Sequence, residues 1–279
     1  MQKVLHYSKA MEKKNCKVSG EYLQTVKYDG WYTEVTYTSL SGWGRFQASS
    51  GSHIPALDWI DLKKLLGNPK ASCKLVMEAV IPDGNIYDVN SALKKLRVPA
   101  KDITLKLHDM IYLGEKKTAL ERWENVVRIT DVELIQPVKL LGISSKLEDW
   151  LKNYDSVVAA GGEGIVLKRA TGYYSPNMRN EDLLKMKCEI SADLLCIAVA
   201  LRYGDKGEPS LTLILEDAHR GKHSVVVPKD ADRDLWSKFP ELIVGRVVLI
   251  RAMQKNSNGS FREPRFGFIR EDKIASQID

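Results

Sequence analysis

Apolar and polar positions follow recognisable periods along this chain of 279 residues. Residues 22–38, YLQTVKYDGWYTEVTYT, are rich in Tyr, Val and Thr on both sides of Asp-Gly. That pattern predicts two strands joined by a tight turn. Residues 55–66, PALDWIDLKKLL, carry apolar side chains at helical spacing and stop at Gly67, which predicts one helix. A short apolar strand is predicted over 74–80, before the turn Pro82-Asp83-Gly84, another strand over 105–113, and a helix over 119–129. Residues 145–160 place Leu147, Trp150, Leu151, Tyr154, Val157 and Val158 on one helical face. Ser144 or Ser145 can cap that helix, and Gly161-Gly162 ends it. Strands over 164–168 and 183–187 follow.

The pattern changes near residue 190. ADLLCIAVALRY, SLTLILED, KHSVVVP, GRVVLIRAM and PRFGFIR read as successive strands with Gly-rich or charged connections. Short strands at this spacing predict a small β-barrel of OB-fold size. The boundary falls at 187–191 and divides the chain into domains of residues 1–188 and 189–279. The first mixes helix and strand without βαβ regularity, so the expected class is α+β, an antiparallel-sheet domain followed by the barrel.

Composition changes this picture little. Hydrophobic residues make up 44% and charged residues 28%, as in soluble globular proteins. There is no run of eighteen apolar residues and no secretory h-region at the start of the sequence, so a cytoplasmic location without membrane association is expected. Cys16, Cys73, Cys188 and Cys196 form no CxxC pair and read as free thiols. His219 and His223 flank Arg-Gly-Lys and read as a hairpin turn rather than a metal site. The net charge is +6. Residues 188–279 balance at 14 basic against 14 acidic side chains, leaving 28 against 22 in residues 1–187. That bias favours a polyanionic partner.

Isolated charges in apolar strands change the picture more. Lys27 precedes Tyr28-Asp29-Gly30, Glu78 interrupts LVMEAVI, Glu163 and Lys168 bound EGIVLK, and Lys185 and Lys187 alternate with apolar residues in LLKMK. Each taken singly reads as a solvated turn or edge-strand charge. Together they put two acids and four lysines on strands with a buried face, where charge is costly unless paired or met by a ligand. Such a set suits a metal–triphosphate: the acids hold a divalent cation through oxygen and the lysines neutralise phosphate. A nucleophilic lysine must lose its proton, which neighbouring cations favour. Lys185 and Lys187 would act in that way on Lys27.

In this order the motifs resemble the lysine-nucleotidyltransferase superfamily of ATP-dependent DNA ligases, RNA ligases and mRNA capping enzymes. The run FREPRFGFIREDK at 261–273 is similar to the last motif of ATP-dependent DNA ligases, Arg-x-Pro-Arg-Phe before Arg-x-Asp-Lys. The compact layout resembles the minimal two-domain ligases of phages, viruses and some bacteria. The resemblance implies an adenylation domain followed by an OB-fold domain, with Lys27 as the adenylated nucleophile. It implies that Glu78 and Glu163 contact ribose or hold Mg²⁺ or Mn²⁺, and that Lys168, Lys185 and Lys187 contact phosphates or the adenylate. His108 stands where the family stacks a ring on adenine. Arg265, Arg270, Asp272 and Lys273 would orient the pyrophosphate of ATP. The implied partner is nicked double-stranded DNA, bound by a monomer, with Arg202 and Lys206 as possible contacts in the second domain. RNA ligase or guanylyltransferase activity, or a non-catalytic nucleic-acid-binding OB-fold module, are the alternatives. The sequence departs from the family at Tyr32 and Ser49, where arginines are usual; Arg45 is the candidate substitute. The position that usually helps to recognise adenine is Thr25, beside Gln24.

Overall fold

The computed structural model describes residues 2–12, 17–94, 98–129, 132–203, 209–229, 232–256 and 258–279. Cys16 and Lys206 lie outside them. The chain divides into two compact units, residues 1–187 and 188–279, and the fold class is α+β.

The first unit contains strands β1 (Leu5–His6), β2 (Tyr22–Val26), β3 (Trp31–Thr38), β4 (Gly42–Trp43), β5 (Cys73–Val80), β6 (Thr104–Tyr112), β7 (Ile135–Pro137), β8 (Leu140–Ser144), β9 (Gly164–Arg169) and β10 (Leu183–Lys187). Its helices are α1 (Tyr7–Glu12), α2 (Leu62–Leu66), α3 (Ile86–Leu93), α4 (Ala119–Val126) and α5 (Leu147–Ala159). One five-stranded sheet runs β1-β10-β9-β2-β8 and another runs β4-β3-β5-β6-β7. Both are antiparallel except at one edge, where β1 lies parallel to β10 and β7 parallel to β6.

The predicted hairpin over 22–38 is not formed. β2 pairs with β8 and β9, whereas β3 pairs with β4 and β5. Tyr28-Asp29-Gly30 is therefore a crossing between sheets. Gly30 makes it possible, because a Cβ there would lie 2.3 Å from the Ala79 carbonyl oxygen of β5. The predicted helix over 55–66 is also interrupted. A 3₁₀ turn covers Pro55–Leu57, and Asp61 restarts the chain as α2 by accepting a hydrogen bond from the Lys64 N–H.

Alternation along the strands sets the two faces of the first sheet. Tyr22, Ile165, Leu167, Leu184 and Met186 pack with Trp150 and Val157 of α5. The intervening residues face the other way, which directs Lys168 and Lys185 away from that core. On α5, Trp150 and Val157 are buried as the helical face predicts, but Leu147 and Leu151 remain more than 40% exposed. The helix begins one turn's fraction later than its serines suggest: Lys146 is the N-cap, and Ser144 Oγ accepts the Lys146 N–H and donates to Asp149. In the second sheet Leu75, Met77, Leu105 and Leu107 enter a larger core with residues of α3 and α4, leaving Tyr32, Glu34, Lys74 and Glu78 on the opposite face.

The second unit contains β11 (Ile190–Tyr203), β12 (Pro209–Glu216), β13 (Lys222–Val226), helix α6 (Arg233–Lys238), β14 (Val247–Ala252), β15 (Gln254–Lys255), β16 (Phe261–Arg262) and β17 (Arg265–Ile269). A five-stranded antiparallel sheet runs β13-β12-β11-β14-β17, as in an OB-fold domain. Among the described residues its edge strands β13 and β17 approach each other without pairing. His223 Nε2 donates to the Asp217 carboxylate at 2.9 Å beside the β12–β13 turn, and its ring packs edge-on against Phe261. The histidine pair thus belongs to a hairpin. No described helix is long and apolar enough to cross a membrane.

Candidate active site

The two sheets of the first unit enclose a cavity of about 270 Å³. Lys27, Glu78, His108, Lys168 and Lys185 all line it, drawn from five separate stretches of sequence. Lys27 follows the last residue of β2. Its backbone N–H donates to the Gly164 carbonyl at 2.9 Å. Gly164 has φ +140, and a Cβ on it would fall 2.1 Å from the Met186 carbonyl oxygen. The glycines of KYDG and EGIVLK are therefore packing requirements that bring Lys27 to the seam. There its Nζ makes an ion pair with Glu163 Oε2.

Glu78 projects from β5 on the same side. Burial pushes its carboxyl up to about 7, and the Glu163 charge adds to this against the counter-pull of Lys27 and the Gly30 N–H. On β10, burial lowers the Lys185 ammonium, and the charges of Lys187 and Lys27 lower it further. Lys187 alternates onto the same strand face but does not line the cavity. Glu78 and three lysines thus line one cavity, and Glu163, which is not among its lining residues, joins them through its ion pair with Lys27. Glu78 and Glu163 could take a divalent cation through oxygen; its charge would offset the burial and the Glu163 repulsion that raise Glu78. Among the described residues no cluster of three or more metal-ligating side chains occurs, so other ligand oxygens would have to complete the shell.

His108 sits at a bulge. Val76 pairs with Asp109 and Met77 with Leu107, so His108 is the extra residue of β6 and both it and Asp109 reach the cavity. Burial, and the positive charges of Lys168 and Lys27, hold its imidazole down to about 3 and therefore neutral. A neutral ring suits stacking on a base.

Lys168 has a partner that the sequence pattern did not reveal. Its Nζ donates to the His108 carbonyl and, at 3.2 Å, to Asp109. Asp109 also receives Arg122 Nε at 2.8 Å from α4. Burial acts against the Asp109 carboxylate, but the charges of Lys168 and Arg122 outweigh it and keep it ionised. An acid isolated in the apolar strand LKLHDMIY was the available signal.

Tyr32, one of the two positions where the sequence departs from the resembled motif, also lines the cavity. Its hydroxyl donates to Glu34 at 2.5 Å, and Lys74 bridges the other oxygen of Glu34 at 2.7 Å. Burial raises the Tyr32 phenol well above its ordinary value. Arg45 is exposed and does not line the cavity. Thr25 is buried with its hydroxyl unpaired among the described residues, while Gln24 turns to the opposite face and accepts from Asn153.

The last motif lies in the second unit. Arg270 makes two bonds to Asp272, at 2.8 and 2.7 Å, and a third to Asp193 at 2.6 Å. Lys273 also reaches Asp193 at 2.6 Å. The bond to Asp272, together with the Asp193 charge, raises Arg270, while the bond to Arg270 holds Asp272 down at about 2. Arg265 stands apart, half exposed and 3.7 Å from Glu189.

Comparison with known proteins adds names to this geometry. Residues 80–187 match the family described as ATP dependent DNA ligase domain. A DNA ligase of Methanothrix thermoacetophila is 26% identical over 213 residues, which span 64% of this chain and 38% of the relative. A DNA ligase of Methanococcoides burtonii is 28% identical over 227 residues, spanning 69% and 38%. The match to both relatives thus covers under two-fifths of their length. Among solved structures, a Lig E DNA ligase from a study of DNA binding with a minimal scaffold superposes with a TM-score of 0.72 at 19% identity. That superposition covers 97% of this chain and 98% of the other, and is a likeness of fold.

Proposed function

We propose that this chain, in which residues 80–187 form an ATP-dependent DNA ligase domain, is an ATP-dependent DNA ligase that seals nicks between a 5′-phosphate and a 3′-hydroxyl in duplex DNA. One observation carries the reading. A lysine at the seam of two sheets is ion-paired to one carboxylate, beside a second, half-buried carboxylate, and shares a cavity with further lysines.

Lys27 Nζ attacks the α-phosphorus of ATP. An N–P bond forms, the bond from that phosphorus to its bridging oxygen breaks, and pyrophosphate leaves. Glu163, already accepting the Lys27 hydrogen bond, stands where the ammonium proton can pass. Lys185 and Lys187 neutralise charge on the phosphoryl oxygens. His108 offers a neutral ring to adenine. Lys168, fixed by Asp109, presents its charge to the cavity wall with little freedom to move. Glu78 and Glu163 would hold Mg²⁺ or Mn²⁺, whose charge favours phosphoryl transfer. Arg265, Arg270, Asp272 and Lys273 orient the departing pyrophosphate. The AMP then passes to the DNA 5′-phosphate, and the 3′-hydroxyl displaces it. The basic excess of residues 1–187 binds the duplex backbone, so sealing falls steeply with salt. The protein acts as a monomer in the cytoplasm.

Incubation with α-labelled ATP and Mg²⁺ tests this directly. Wild type is expected to take a covalent label that Lys27→Ala does not, and to seal a labelled DNA nick. No label on wild type, or equal label on Lys27→Ala, would overturn the reading. Preference for GTP, or for nicked RNA, would redirect it to another branch of the superfamily.

A further inference from the structure

We infer that Asp193 is a positioning residue for the first chemical step, holding Arg270 and Lys273 in the orientation that receives the triphosphate of ATP. The inference rests on the nucleotidyl-transfer reading above.

Asp193 lies on β11, in the apolar run ISADLLCIAVA, and is only 5% exposed. A buried carboxylate in such a strand is destabilising unless cations meet it. Both cations that meet this one come from the last motif: Arg270 Nη1 and Lys273 Nζ converge on the same oxygen, Oδ2, each at 2.6 Å. The other oxygen, Oδ1, is buried and has no partner among the described residues. A carboxylate serving packing alone would be expected to spread its bonds over both oxygens. Concentrating two cations on one oxygen instead fixes the relative direction of a guanidinium and an ammonium three residues apart.

The donors left over support this role. A guanidinium has five N–H groups and an ammonium three. Arg270 spends three on Asp193 and Asp272, and the Lys273 bond to Asp193 uses one of its own. Arg270 and Lys273 retain side-chain exposures of 20% and 27%. Their remaining N–H groups are held in fixed directions for an anion that brings more oxygens than a carboxylate. Preorganised donors of this kind lower a barrier because nothing has to reorient as charge develops on the leaving group. Asp272, the other partner, is mostly exposed and turns Arg270 from the solvent side. Asp193 acts from the buried side and is the only one of the two that holds both cations.

The experiment measures the rate of covalent labelling by α-labelled ATP over a range of ATP concentrations. Wild type is compared with Asp193→Asn, Asp193→Glu, Arg270→Ala and the double variant Asp193→Asn/Arg270→Ala, with melting temperatures recorded alongside. Asp193→Asn is expected to slow labelling at saturating ATP by about 100-fold, the scale of a misplaced catalytic group, with a smaller change in KM. Asp193→Glu keeps the charge one methylene further out and is expected to recover part of the loss. The double variant is expected to be little slower than Arg270→Ala, because the two residues act as one unit. Asp217→Asn serves as a control: it removes a carboxylate equally buried in the same unit, and should lower the melting temperature without slowing labelling of the folded protein. Labelling of Asp193→Asn at the wild-type rate, or single losses that simply multiply in the double variant, would overturn the inference. If Asp193→Asn does not fold, folded Asp193→Glu carries the test, and labelling at the wild-type rate is then the overturning result. A wild type that takes no label fails the ligase reading itself and takes this inference with it, whereas a labelled wild type isolates the outcome to Asp193.

Discussion

In the first unit, Glu78 and Lys185 are both held away from their ordinary ionisation by burial and like charge. In the second, Arg270 and Asp272 are held more firmly in theirs by each other. The two regions contain similar residues in similar strands, yet one is electrostatically discontented and the other satisfied. The difference separates two jobs. A site whose charges are compensated only when a ligand arrives gains binding and transition-state energy from that ligand. A site whose charges are already compensated gives direction instead. Within the first unit burial pushes both Lys168 and Lys185 down, but Lys168 is bonded to the Asp109 carboxylate whereas Lys185 has the charges of Lys187 and Lys27 beside it.

The largest way to break the contrast is at Lys27. Lys27→Arg preserves a cation for Glu163 but replaces an amine that can be deprotonated with a guanidinium that cannot. If the ion pair were structural, the substitution would be mild. As a nucleophile, Lys27 should lose labelling by roughly 10⁴-fold or more, with a melting temperature close to wild type, read by label incorporation and thermal unfolding on the same sample.

The two other lysines sharpen it. Lys168→Met strips one cation from the buried Asp109–Arg122 cluster, and is expected to cost about 3–5 kcal/mol of stability, measured by denaturant unfolding. Lys185→Met removes a charge that burial and two neighbouring lysines already disfavour. It should leave stability unchanged or raised while slowing labelling about 100-fold. Equal stability losses in the two variants would erase the distinction between a lysine bonded to a buried carboxylate and one set beside like charges.

Much of this was legible in the chain, for identifiable reasons. Glu78 stood out because a lone acid in LVMEAVI cannot be buried without a partner, and Lys185 and Lys187 because their spacing puts both on one strand face. The same rule applied to LKLHDMIY and ISADLLC would have flagged Asp109 and Asp193, whose partners Arg122, Arg270 and Lys273 are remote or lie in another motif. Strand partnership was the harder step. YLQTVKYDGWYTEV has every local mark of a hairpin, and nothing nearby records that β2 pairs with β9 some 140 residues later while Gly30 packs onto β5. That non-local choice places Lys27 between two sheets and makes the cavity. The bulge at His108 was equally silent, since it appears only in the register with β5.

Acid–base linkage offers a smaller test of the discontented side. The Glu78 carboxyl is raised from 4.5 to about 7 in the fold, so between those values the folded protein holds a proton that the unfolded chain releases. Its contribution to stability is complete below the unfolded value and is lost as pH rises through about 7. The shift corresponds to about 1–3 kcal/mol after allowance for partial solvent screening. Without divalent metal, wild type should therefore lose stability relative to Glu78→Gln as pH is raised from 5 to 8. A difference between the two that stays flat with pH would place Glu78 on the satisfied side.

The smallest effect is expected at Tyr32, where the cavity carries its own compensated trio. Burial works against the Glu34 carboxylate, but the hydrogen bonds from Lys74 and Tyr32 outweigh it and hold the group below its usual range. Such a group stabilises the fold above the unfolded value of 4.5 and loses that contribution as pH falls through the folded one. Tyr32→Phe removes one of the two donors and leaves Lys74 in place, so the cost should be about 1 kcal/mol near neutral pH and should shrink in acid. Nick sealing should fall no further than this stability change explains, because the hydroxyl proton is committed to Glu34. A much larger loss of sealing at unchanged stability would mean that the phenol oxygen contacts substrate. Tyr32 would then belong with Glu78 and Lys185 as a group that meets the ligand.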